Sequence, residues 1–114
     1  MFKNLFILFL SIQISVFASE NLVRVIASAN VHGEVDPCGW KKKPLGGLAR
    51  KATLLDQLYV DTENFYVVDA GNLFFKHDIL EPGIAKETSL INADIITKSF
   101  NEMGCTAFSP GSKD

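Results

Sequence analysis

The sequence is poor in the residues that make metal, redox and nucleic-acid chemistry easy to recognise. Its 114 residues include two cysteines, two histidines and one tryptophan. Cys38 and Cys105 are far apart and form no Cys-x-x-Cys pair, which argues against a thiol redox centre. A Cys38–Cys105 disulfide is disfavoured as well. Cys38 sits in a Pro-Cys-Gly loop, whereas Cys105 opens an apolar strand and suits the role of a small buried hydrophobe. The one basic cluster, Lys41-Lys42-Lys43, reads as a solvated loop, and the net charge is −2. A nucleic-acid-binding face is therefore not expected. There is no internal repeat and no low-complexity segment.

One long apolar run exists, Leu5 to Phe17. It spans about 13 residues, short of the roughly 20 that cross a bilayer. Lys3 precedes it, and Val16-Phe17-Ala18 follows with small residues where a peptidase needs them. This pattern predicts a secretory signal over residues 1–18, cut after Ala18. No cysteine follows closely, so a lipid-modified N-terminus is not expected. The predicted location is secreted or periplasmic, with no membrane association after cleavage. Loss of Lys3 makes the net charge of −2 one unit more negative. Residues 19–114 then form one domain with a small, marginal core.

The rest of the chain alternates. Leu22 to Ala29 is rich in Val and Ile and predicts a strand. Gly33, Pro37, Gly39 and Pro44 predict a loop. From Gly47 to about residue 60, Leu48, Ala52, Leu55 and Tyr59 recur at helical spacing, with Arg50, Lys51 and Asp56 on the other side. Phe65 to Val68, running on to Asp69, reads as a strand covered on both faces. A loop with Gly71, Pro82 and Gly83 leads to a helix over Lys86 to Met103, striped by Ile96, Phe100 and Met103 and stopped by Gly104. Cys105 to Phe108 is a third strand. The order β-α-β-α-β predicts an α/β fold, a βαβαβ unit with parallel strands and right-handed crossovers.

Three polar blocks stand at the carboxyl ends of these strands: Asn30-Val31-His32-Gly33, Asp69 to Phe74, and Gly111-Ser112-Lys113-Asp114. Ligands of parallel sheets bind outside such ends, so the blocks are expected at one edge of the sheet. His32 is a candidate metal ligand by its imidazole. Asp69 is a candidate site carboxylate, and it can equally close an Asx turn. Gly46-Gly47 before a helix could present N–H groups to an anion or allow close loop-to-helix packing.

Read together, these segments resemble the N-terminal part of the calcineurin-like metallophosphoesterases, in particular the secreted 5′-nucleotidase branch. That branch has Thr-Asn-Asp-x-His-Gly, Gly-Gly-Leu-Ala-Arg, Asp-Ala-Gly-Asp-Leu-Phe and Gly-Asn-His-Glu in this order. The counterparts here are Ser28 to Gly33, Gly46 to Arg50, Asp69 to Phe74, and Gly111 to Asp114. Asn101 to Ala107 resembles the family's Asn-x-x-Gly-Tyr-Asp-Ala, and Asp36-Pro37-Cys38-Gly39 resembles a loop of one subgroup, with Trp40 where a second Cys often stands. The resemblance implies the N-terminal half of an αββα sandwich, two divalent metals such as Mn²⁺ or Zn²⁺, and hydrolysis of phosphate esters by metal-activated water.

The departures fall on the chemistry. Asn30 and Asn72 stand where the family has metal-binding aspartates, Ser112 where it has an Asn ligand, and Lys113 where it has the catalytic His. Only His32 is unchanged among the covered ligand positions. Two dications at ~3.5–4 Å need anionic ligands to offset their repulsion. Asn30 and Asn72 offer none, and Lys113 adds a positive charge. The expectation is a non-catalytic exported relative that holds no cofactor and has a phosphorylated small molecule as its candidate partner. The chain is expected to be a fragment lacking the C-terminal half-domain. The alternative is the N-terminal piece of an active secreted phosphoesterase.

Overall fold

The computed structural model describes residues 22–39, 42, 44–59 and 64–114. The predicted signal at residues 1–18, and Trp40, Lys41 and Lys43, lie outside the described residues. The elements are β1 (Arg24–Ser28), α1 (Leu48–Leu58), β2 (Phe65–Asp69), α2 (Ile84–Glu102) and β3 (Cys105–Phe108). The protein is mixed α/β, with one three-stranded parallel sheet in the order β1-β2-β3. β1 and both helices are shorter or shifted by a few residues from the predicted bounds: β1 omits Leu22 and Val23, α1 ends at Leu58, and α2 starts at Ile84 and ends at Glu102. None of the described helices is long and apolar enough to cross a membrane.

Strand order follows sequence order, so crossovers of one hand place both helices on the same face. Side chains confirm which face. The Arg24 guanidinium donates to the Leu58 carbonyl at the end of α1, and Lys51 Nζ donates to Ser28 Oγ at 2.6 Å. In β2, Val67 and Asp69 point the same way and are buried. The core gathers Leu48 from α1, Leu73 from the loop after β2, and Ile96 and Phe100 from α2. Val31, Val35, Phe74, Met103 and Cys105 pack against it. Ile96 is fully enclosed, as its stripe predicts.

On the opposite face the described residues leave Val25 and Tyr66 exposed, unlike the expectation that β2 is covered on both sides. Val25 of β1 and its register partner Tyr66 are 56% and 40% exposed. The continuous apolar run signalled two apolar faces, but the same-side crossovers cover one of them. Tyr59, predicted to continue the buried stripe of α1, lies past the helix end and is also exposed; its ring meets Phe65 edge-on, with centroids 5.2 Å apart. Cys38 and Cys105 are free thiols, and Cys105 is half-buried.

β3 carries an irregularity that composition does not reveal. Cys105 pairs with Val67 and Ala107 with Val68, leaving Thr106 as the extra residue of a bulge. Its hydroxyl accepts the Val67 N–H at 3.3 Å. The shift brings Phe108 opposite Asp69, and the Phe108 ring packs edge-on against Phe74 at 5.5 Å.

Candidate functional site

The three polar blocks meet at the carboxyl ends of the strands. The Asn30 N–H donates to the Gly71 carbonyl at 2.9 Å, the His32 N–H to Asn72 at 2.9 Å and the Gly33 N–H to Leu73 at 3.0 Å. The first loop is thereby zipped to the second beyond the end of the sheet. The third block joins through Asp114. Its carboxylate accepts from Leu73 N at 2.7 Å, Phe74 N at 2.9 Å and Gly111 N at 2.8 Å.

At the centre are two amides. Asn72 Nδ2 donates to Asn30 Oδ1 at 3.0 Å, and Asn72 Oδ1 accepts the Lys113 N–H at 3.3 Å. Asn30, His32 and Asn72 have φ of 57°, 56° and 52°, and they are the only non-glycine residues with positive φ among those described. Such conformations are costly outside glycine, tolerated best by Asn, Asp and His, and concentrated at functional sites. All three fall on ligand positions expected from the resemblance.

The other candidates divide. Asp69 is buried and closes the Asx turn: Gly71 N donates to its Oδ1 at 2.8 Å. Its second oxygen accepts from Ser28 Oγ at 2.6 Å, so this carboxylate holds the loop from beneath. Asp114 is likewise committed to backbone. Desolvation raises its pKa, but the N–H groups of Phe74, Gly111, Leu73 and Asn72 outweigh that and hold it below the usual 3.8. Ser112 lies exposed in the terminal turn. The Lys113 ammonium turns to the Lys76 carbonyl at 3.2 Å. At Gly46-Gly47 the structure shows close loop-to-helix packing. The Leu48 N–H is taken by the Val35 carbonyl at 3.0 Å, and a Cβ on Gly47 would lie 2.8 Å from the Pro37 ring.

One charged group lies where its helical position does not predict. The spacing puts Lys51 on the polar side of α1 with Arg50 and Asp56. Its long stem instead crosses to the sheet, where the ammonium sits 3.9 Å from the centroid of Phe100 and donates to Ser28. Lys51, Ser28 and Asp69 form a hydrogen-bonded line from helix to turn. Burial pushes the Lys51 pKa below its ordinary 10.5, opposed by Asp69 and Cys105. A lysine so shifted binds fewer protons folded than unfolded as pH approaches 10.5, so stability rises with pH across that window. Melting curves should therefore show the native chain gaining on a Lys51→Met variant as pH rises. A constant gap between the two would contradict this.

The donor set does not suit a pair of dications. Both amides are hydrogen-bonded within the site and neutral. Asp69 and Asp114 are engaged by hydroxyl and backbone donors. No cluster of three or more His, Cys, Asp or Glu suited to a metal exists among the described residues. His32 Nε2 is the buried side-chain nitrogen or oxygen left without a partner among the described residues. No family model, no curated protein and no solved structure matches this chain.

Proposed function

We propose that the chain is the N-terminal part of a metallophosphoesterase-type α/β sandwich of the secreted 5′-nucleotidase kind, exported and converted from a catalytic to a binding role. The carrying observation is the Asn72–Asn30 hydrogen bond of 3.0 Å. The two positions that would hold metal-binding carboxylates in an active relative, the bridging one at Asn72 and its partner at Asn30, are instead joined by an amide–amide hydrogen bond. Neutral amides supply the geometry that anions and metals would otherwise impose, and the Lys113 backbone N–H occupies the Asn72 oxygen a metal would need. Hydrolysis of phosphate esters by metal-activated water is then not the activity, and recognition of a phosphorylated small molecule is. The orphaned His32 Nε2 is the one feature favouring the enzyme reading, since an imidazole nitrogen so placed suits a single metal ion.

Asn30→Asp with Asn72→Asp tests this. The double variant sets two carboxylates face to face where one hydrogen bond stood, and like charges so close repel. Its unfolding midpoint should fall by several degrees in chelator and recover in Mn²⁺, while the native chain responds to neither. An equal gain from Mn²⁺ in both proteins would return the site to the enzyme reading.

A further inference from the structure

The geometry points to a second binding site, for a small amphiphilic anion, in the cleft between the loop 76–81, the first turn of α2 and Lys113. The inference rests on the reading of this chain as a binding protein and adds where the ligand sits. The cleft measures about 660 Å³, within the range that small-molecule sites occupy. Of the expected site residues, Lys113, at the catalytic His position, lines it, and none of the expected metal positions does.

Its walls differ in character. Lys76, Lys86 and Lys113 come from three separate segments, while Ile79, Leu80 and Ala85 supply apolar surface. Lys113 is held in place, its backbone N–H on Asn72 Oδ1 and its ammonium on the Lys76 carbonyl. Asp78 and Glu81 also line the cleft, yet neither pairs with a lysine. The ion pair among the described residues is Lys98–Asp94, elsewhere on α2. Three lysines from three segments thus line one concavity, and none of them is ion-paired among the described residues. Lysines bind compact anions as point charges, and an apolar wall favours a ligand whose charged head carries a hydrophobic body. The concave shape and the two carboxylates favour a small molecule over an anionic membrane.

Phenyl phosphate is the probe, titrated into the full chain and followed by NMR shifts, with inorganic phosphate and phenol as its two halves. Saturable millimolar binding is expected, tighter than for either half. Lys113→Gln and Lys86→Gln should each weaken it roughly tenfold, as for one charge-assisted hydrogen bond. Lys86 is exposed, so its variant reads binding even if Lys113→Gln fails to fold. Lys98→Gln should change nothing. Phenol binding as tightly as phenyl phosphate, an equal loss in Lys98→Gln, or no saturation would overturn the site. So would binding to phosphatidic acid vesicles without binding to phenyl phosphate. None of these outcomes alters the Mn²⁺ response of the asparagine pair, so the two proposals fail separately.

Discussion

Replacing Asp69 by alanine is expected to destabilise the chain by about 3–5 kcal/mol, the range for breaking a buried charge arrangement by removing one partner. Asp69 is 3% exposed and accepts two hydrogen bonds, from Ser28 Oγ and Gly71 N. Its removal strands the N–H of a buried residue at about 1–3 kcal/mol. It also leaves the half-buried Lys51 ammonium without the charge that offsets its desolvation. A small domain has only ~5–15 kcal/mol in total, so much of the margin would be lost. Asp69→Asn separates the contributions: its carbonyl can still accept from Gly71, and it should cost clearly less. Denaturant unfolding with an unchanged slope measures both. Equal losses in the two variants would show that the retained hydrogen bond to Gly71 contributes nothing and that the charge carries the whole effect.

Gly71→Ala should cost about 2–5 kcal/mol, combining backbone strain with overpacking. Gly71 has φ of 98°, and a Cβ there would lie 2.5 Å from the Ser109 carbonyl oxygen and 2.9 Å from Gly111 Cα, with Gly111 N closer still. These are backbone atoms, so relief requires the second and third blocks to part. The Lys113 N–H to Asn72 bond should break with them. Gly83→Ala is the matched control: φ is 100°, but nothing lies within 4 Å. It should cost about 1 kcal/mol, the strain alone. Similar losses at the two glycines would mean that the close approach of the blocks is not as described.

Much of the architecture is legible in the sequence because local signals agree with the fold. Val- and Ile-rich runs, the Ile96-Phe100 stripe and glycine punctuation give the three strands, two helices and their parallel order. Convergence of the polar blocks follows from where parallel strands end. What stays hidden depends on contacts made at a distance. Lys51 looks solvated on a helical projection, and only the position of Phe100 and Ser28 draws its stem inward. The Thr106 bulge is a matter of register against β2, which a four-residue strand cannot specify by itself. The open face of Val25 and Tyr66 reads like a buried one, since apolar residues do not report what covers them. At the site, Asn30 and Asn72 declare the loss of charge, but their mutual hydrogen bond required the two loops to be zipped together.

Calorimetric titration of the unmodified full chain with Mn²⁺ addresses the asparagine pair most directly. With the Asn30 oxygen taken by Asn72 and the Asn72 oxygen by Lys113 N–H, no tight two-metal binding should be seen, and the heats should not differ from dilution beyond a weak single event at His32. Tight, saturable uptake of two ions per chain would show that neutral amides suffice to hold them, and the site would then have to be read as a metal-dependent phosphoesterase centre.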